Sequence, residues 1–474
     1  MSLLRTVPAE RRPIAALESV VGPERYTRLL AAAHALRPRL AGRTIWNVNS
    51  TAVGGGVAEM LQTLVGYGQD LGIVIRWVVI SGDPAFFALT KGLHNALHGF
   101  AGSGPPAGPA EAAHYEQVLA DNAAELVDLV RPGDMVLLHD PQTAGLAPWL
   151  RRAGAHVVWR CHIGADEHSA VTLAGWEFLR PYLTGLEGYV FSRRRYVPPW
   201  LPAAAVEVIP PSIDPFSAKN EDMSDGTVQA VLRRIGFLDG AVAPPPFVRR
   251  DGHRGEVVRR AAVVADRLPG PDEPMLLQVS RWDRLKDMGG VLHGFAAHVA
   301  PEADGYLALV GPSVATVADD PEGAAVYAEC VRQWQDLPAA VRARVMLVTL
   351  PLDDVDENAA MVNALQRHAA VVAQKSLAEG FGLTVAEAMW KGRPVVGSAV
   401  GGIPDQIAAG TGVLVGDPAD LAAFGAAVRD LLRDPAAREA MGAAAHEHIR
   451  AEFVGDQHLM RYARLFTRVG GWSG

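Results

Sequence analysis

The segment Glu379-Gly380-Phe381-Gly382-Leu383-Thr384-Val385-Ala386-Glu387 places two carboxylates with seven residues between them. A strand pattern ends at Gln374 and a helical pattern starts near Leu383, so Glu379 falls in a loop and Glu387 on the helix. The two are not on one helical face, but they flank one ligand if the loop folds over the helix start. Carboxylates accept hydrogen bonds from ligand hydroxyls without a metal. The backbone N–H groups of Gly382 to Thr384 would face an anion, aided by the helix dipole. Taken alone, the pair suits the two carboxylates of a glycoside hydrolase equally well. Alternatively, Glu387 is a plain helix residue and Gly380 and Gly382 are turn formers.

Two further segments point to an anion. Ser280-Arg281-Trp282-Asp283-Arg284-Leu285-Lys286-Asp287 follows a strand directly, and ligands in open parallel sheets bind beyond the carboxyl ends of strands. Arg281 offers a planar fork and Lys286 a compact charge, which a diphosphate accepts together. An isolated basic pair is also what a solvated loop carries, with Asp283 and Asp287 as partners. Asn47-Val48-Asn49-Ser50-Thr51-Ala52-Val53-Gly54-Gly55-Gly56 runs from a strand end into a helical pattern at Val57. Glycines there allow close backbone approach to a ligand, or serve a tight turn. The spacing is not GxGxxG, so a nicotinamide fingerprint is not supported. His139-Asp140 and His162 stand at the ends of two expected strands, on the side where sites form. His94, His98 and His114 read as structural, and Trp46, Trp159 and Trp390 as core. The histidines show no ligand spacing, so no metal site is expected.

These segments need a frame. Short β-rich apolar runs alternate with helical patterns along the chain, the signature of βαβ units and parallel sheets. Expected strands are 44–49, 74–80, 135–139, 156–160, 189–192 and 206–209, then 275–280, 306–311, 345–350, 371–374, 394–397 and 412–415. Residues 1–40 read as mostly helical, 102–108 as a surface loop, and 210–272 as proline-rich linker with some helix. A length of 474 residues implies two domains. A formal charge of −8 argues against nucleic acid or an anionic membrane surface as partner. Two distant cysteines make no disulfide framework, and no apolar run is long enough to cross a membrane. A cytoplasmic protein is expected.

Taken together these residues resemble a retaining glycosyltransferase of family 4, a GT-B protein with two Rossmann-like parallel-sheet domains facing an interdomain cleft. The resemblance spans roughly residues 40 to 470 and rests on Glu379 and Glu387, on Arg281 and Lys286, and on the glycine loop. NVNSTAVGGGVAEML, HDPQTAGL, VSRWDRLKD and QKSLAEGFGLTVAEAMWKGRPVVGSAVGGIPDQI are similar to the trehalose glycosyltransferring synthases. The resemblance implies an N-terminal acceptor-side domain over 1–245, with 1–40 a helical extension. A nucleotide-sugar domain over 246–455 and a C-terminal helix over 456–474, packing back on the first domain, would follow.

The resemblance further implies a hexosyltransferase that moves glucose reversibly from UDP-, ADP- or GDP-glucose to glucose or an analogue, giving α,α-trehalose or a similar disaccharide. Arg281 and Lys286 would hold the donor phosphates, Glu387 the ribose and Glu379 the donor sugar. The backbone of Gly380, Phe381, Gly382 and Leu383 would line the donor site, joined by Gly311 and by Gly55 and Gly56 of the loop. His162 would sit beside the reacting carbon, and Asn49, Asp140 and Asp166 would face the acceptor. No cofactor or obligatory metal is implied; the partners are the nucleotide-sugar donor and a small sugar acceptor, and the family suggests homodimers. One departure stands out. The family segment Cys-His-Ile-Asp is here Cys161-His162-Ile163-Gly164, with Asp166 two residues on, so acceptor choice is expected to differ. The alternatives are a trehalose phosphorylase, an amino-sugar or pseudo-glycosyltransferase of secondary metabolism, and a non-enzymatic hinge-type sugar-binding protein.

Overall fold

The structure is a computed structural model and describes residues 2–52, 56–100, 108–314 and 321–471. The chain divides into two compact units, 1–212 with 453–474 and 213–452.

Unit 1 holds seven strands: β1 (Arg5–Thr6), β2 (Ile45–Asn49), β3 (Ile75–Val79), β4 (Met135–His139), β5 (His156–Cys161), β6 (Gly188–Phe191) and β7 (Val206–Val208). They form one sheet in the order β1-β3-β2-β4-β5-β6-β7, parallel except where β1 pairs with β3. β2, β4 and β6 are buried along their whole length, as expected for strands covered by helices on both faces. The helix Gly455–Val469 packs Leu465, Phe466 and Val469 into a cluster with Val158 and Val190 of this sheet. β1 has only two residues and no periodic pattern, so the sequence reading of 1–40 as mostly helical missed it.

Unit 2 holds β8 (Pro246–Val248), β9 (Arg254–Glu256), β10 (Ala262–Val264), β11 (Met275–Val279), β12 (Tyr306–Pro312), β13 (Val345–Leu350), β14 (Val371–Gln374), β15 (Val395–Ser398) and β16 (Gly412–Val415). Its main sheet runs β10-β13-β12-β11-β14-β15-β16, parallel except for β10 on β13. β8 and β9 form a separate hairpin.

The stretch read as linker is structured, and the division between the units falls at 212/213 rather than at 245/246. The reason is packing. The helix Asp225–Ile235 buries Val228, Val231, Leu232 and Ile235, and its main partner is the helix Val355–His368. From that second helix, Asn363 Nδ2 donates to the carbonyls of Ala218 at 3.1 Å and Glu221 at 2.8 Å. Prolines and charges masked a four-residue apolar stripe that only a partner helix makes legible.

Among the parallel strands of each sheet the order reverses once. In unit 2 the reversal lies between β11 and β14, and in unit 1 between β2 and β4. Crevices outside the carboxyl ends of strands at such points are where open α/β sheets bind ligands.

Candidate active site

The two segments that follow β11 and β14 meet at the reversal in unit 2. Asp283 caps the short turn Arg284–Lys286 by accepting from Leu285 N at 2.8 Å, and Leu377 N donates to Leu285 O at 2.8 Å. These bonds hold Lys286 against the β14 loop, where its Nζ lies 2.6 Å from Glu379 Oε2. Gln374 Nε2 at 3.3 Å and Ser376 Oγ at 3.2 Å donate to the same oxygen, while Gly380 N donates to Oε1 at 3.2 Å. Both oxygens of the Glu379 carboxylate thus accept hydrogen bonds, and its side chain is only 10% exposed. One residue beyond Lys286, Asp287 sits in the left-handed region at φ 48°, accepts from Gly290 N at 3.0 Å and is paired with the buried Lys375. A strained non-glycine residue of this kind clusters at functional sites.

Gly382 caps the helix Leu383–Trp390 at φ 82° with no side-chain cap, a conformation open to glycine at little cost. The first turn of that helix, where Val385 N donates to Gly382 O at 2.9 Å, starts beside the Glu379 side chain that Lys286 meets, and helix starts offer N–H groups to an anion. Phe381 is buried, and Gly380 O accepts from Gly402 N at 2.9 Å, which fixes the loop. Arg281 behaves differently from Lys286. Its side chain is 65% exposed and donates to Asp283 at 3.0 Å, so the two basic groups do not share one partner here. Gly311, at the end of β12, lies under Trp282: an added Cβ would stand 2.9 Å from Ser280 O.

Glu387 is not an exposed helix residue. It is buried, and its Oε1 lies 3.3 Å from Lys219 Nζ. Lys219 sits in the stretch read as linker, and sequence reasoning had no signal for it.

In unit 1 the residues cluster at the ends of β2, β4 and β5. Asp140 takes φ 62° directly after β4, donates its backbone N–H to Arg160 O at 2.8 Å, and accepts from His162 N at 2.8 Å. Burial pushes its carboxyl up to about 7. The His162 ring lies 3.0 Å from His139 Nδ1, and burial, then the Arg160 charge, holds its imidazole well below the usual histidine range. Asn49 is buried and engaged at both ends: Oδ1 accepts from Trp77 Nε1 at 2.7 Å and Nδ2 donates to Thr51 O at 2.6 Å. Asp166 pairs with Arg193, which joins the loop after β5 to the loop after β6. Gly164 is pressed against the buried Tyr196, whose Cβ and Cγ occupy the space a side chain at 164 would need. Gly56 opens the helix Gly56–Asp70, while Gly54 and Gly55, like residues 102–107 of the expected surface loop, lie outside the described residues.

Trp46, Trp159 and Trp390 are buried, as read. Cys161 and Cys330 are buried free thiols. Among the described residues no helix is long and apolar enough to cross a membrane, and no group of three His, Cys, Asp or Glu could hold a metal ion.

Two family models match the chain: the N-terminal domain of trehalose synthase over residues 47–198 and glycosyl transferases group 1 over 356–448. The trehalose synthase of Rubrobacter xylanophilus is 33% identical over 99% of this chain and 100% of its own length. That of Pyrococcus horikoshii is 34% identical over 97% of each. Among solved structures, an α,α-trehalose 6-phosphate synthase from Burkholderia multivorans superposes with a TM-score of 0.65 at 16% identity, covering 91% of this chain and 100% of that one. This last likeness shows the GT-B fold.

Proposed function

This chain belongs to the trehalose synthase family of glycosyltransferases, and from that premise we propose that it transfers glucose, with retention, from a nucleoside-diphosphate glucose to glucose or a glucose analogue. The product is α,α-trehalose or a trehalose-like disaccharide, and the reaction is reversible. The observation that carries this reading is the Lys286–Glu379 pair at the open first turn of the helix Leu383–Trp390. It gathers a cation, a helix N-terminus and a hydroxyl-accepting carboxylate at one point, which is what a sugar joined to a diphosphate requires.

In this mechanism the leaving diphosphate departs from the face that the acceptor hydroxyl enters, and its oxygen takes the acceptor's proton. Positive charge develops on the sugar and negative charge on the phosphate. Lys286, Arg281 and the helix N-terminus stabilise the negative charge where it grows, without an obligatory metal. Glu379 accepts the donor-sugar hydroxyls while still holding Lys286. Glu387, with Lys219 beside it, takes the ribose hydroxyls. Asp140 and Asp166 face the acceptor, and the crowding of Gly164 by Tyr196 sets the shape of that side.

The deciding experiment is trehalose cleavage assayed separately with UDP, ADP, GDP and inorganic phosphate. Cleavage with a nucleoside diphosphate, yielding the α-configured sugar nucleotide, is the expected result. Cleavage with phosphate alone would assign the chain as a phosphorylase, and no cleavage with any of them would remove the transferase reading.

A further inference from the structure

Behind His162 lies a chain of side chains that the scheme above leaves unused. His139 Nε2 is 3.1 Å from Asn47 Oδ1, and His139 Nδ1 is 3.0 Å from His162 Nε2. The two rings lie nearly parallel, 5.3 Å apart. An amide oxygen only accepts, so His139 carries its hydrogen on Nε2 and accepts at Nδ1. His162 must then donate through its own Nε2–H. That leaves Nδ1 as its acceptor, and Arg160 Nε stands 3.3 Å from it. Arg160 Nε is equally near His162 Nε2, at 3.2 Å, but a nitrogen bearing hydrogen cannot accept.

Arg160 is fully buried and anchored from the far side: Nη1 donates to Tyr462 Oη at 2.6 Å and Nη2 to Ile209 O at 3.1 Å. Tyr462 and the buried His458 come from the C-terminal helix Gly455–Val469. Among the described residues the titratable and charged groups around the His139–His162 pair include Asp140 directly after β4, Arg160 and Cys161 from β5, and His458 and Tyr462 from that helix. Burial and the Arg160 cation together oppose a second positive charge: His139 is pushed down to about 3, and His162 and His458 well below the histidine range. With both nitrogens engaged, His162 is no proton carrier. It offers instead a fixed ring and a fixed backbone N–H, and that N–H holds Asp140 Oδ1.

We propose that Asn47, His139 and Arg160, the last braced by Tyr462, are positioning residues that lock His162 in its Nε2–H tautomer and, through its backbone amide, fix Asp140. The C-terminal helix thereby takes part in setting the site although it lies some 300 residues from His162 in sequence. The proposal rests on the reading that His162 and Asp140 serve glucosyl transfer.

The test uses the full chain labelled with 15N-histidine, with His139 and His162 assigned from the His139→Gln and His162→Gln spectra. The wild type should show both rings neutral and Nε2-protonated near pH 7. Asn47→Leu, which removes the oxygen that accepts from His139 Nε2, should let His139 place its proton on Nδ1, which turns His162 to the Nδ1–H tautomer against Arg160, and should lower kcat about tenfold with little change in donor KM. Tyr462→Phe, which keeps the ring and drops the hydroxyl, should lower kcat in the same sense. A wild-type His162 that is charged or Nδ1-protonated overturns the tautomer assignment. Folded Asn47→Leu and Tyr462→Phe proteins with wild-type kcat and pH profile overturn the positioning role. A wild type that forms no trehalose sinks the proposed function instead, and the spectra still decide the tautomer.

Discussion

Lys286 Nζ and Glu379 Oε2 stand 2.6 Å apart, tying the segment after β11 to the loop after β14 where the strand order of the second sheet reverses. The side chains are 16% and 10% exposed, so water screens the pair only partly. Lys286→Ala should lower kcat about a hundredfold, the usual effect of losing one preorganised donor to a developing oxyanion. It also leaves Glu379 short of a partner, and a urea titration should show a loss of about 1–2 kcal/mol. Turnover near wild type would rule out a phosphate role for Lys286.

Arg281 separates binding from folding more cleanly. Its ion pair with Asp283 is 65% exposed on the arginine side, and such pairs contribute about 0–1 kcal/mol. Arg281→Ala should therefore leave Tm nearly unchanged while kcat falls about a hundredfold. A kcat that follows Tm, both unchanged, would place Arg281 among ordinary surface charges.

Glu387 is expected to act in donor binding rather than in the chemical step. Glu387→Gln keeps the shape and removes the charge opposite Lys219, so donor KM should rise about tenfold with kcat little altered. Isothermal titration with the nucleoside diphosphate checks this directly. Unaltered affinity would remove Glu387 from the ribose site.

Gly164 and Tyr196 should be coupled. A carboxylate at 164 collides with the Tyr196 side chain, so Gly164→Asp should cost about 1–3 kcal/mol through overpacking. Paired with Tyr196→Ser, the cost should be smaller than the sum of the single changes by about 1 kcal/mol or more. Additive effects in the double-mutant cycle would show that Tyr196 does not set the space at 164.

The buried pair His139 and Asp140 gives stability a pH dependence with two opposed parts. His139 titrates at 6.5 in the reference state and at about 3 in the fold. The unfolded chain binds more protons between those values, so stability falls as pH drops through that window. The Asp140 carboxyl rises from 3.8 to about 7, so the folded state holds its proton longer, and that contribution is lost as pH rises through the range. Urea midpoints measured from about pH 4 to pH 8 should show His139→Gln with a shallower acid limb and Asp140→Asn with a gain near pH 7 and above. Parallel profiles for both variants and the wild type would contradict these shifts.

Much of this protein is legible in its residue order, for a local reason. Strand and helix periodicity, the two carboxylates in the Glu379 to Glu387 segment and the basic residues after β11 are short-range patterns, and the placing of ligand loops at the carboxyl ends of parallel strands follows from them. Tertiary structure alone decided which partners those groups meet. Lys286 finds Glu379 across the reversal between β11 and β14, while Arg281, five positions away, finds Asp283. Lys219 reaches Glu387 from a stretch that reads as linker, because its flanking helix shows its apolar stripe only against Val355–His368. Arg160 meets Tyr462 from the far end of the chain, a contact no local pattern encodes. Sequence periodicity fixes elements over a few residues, but hydrogen bonds and ion pairs of buried groups form wherever folding brings a donor to an acceptor.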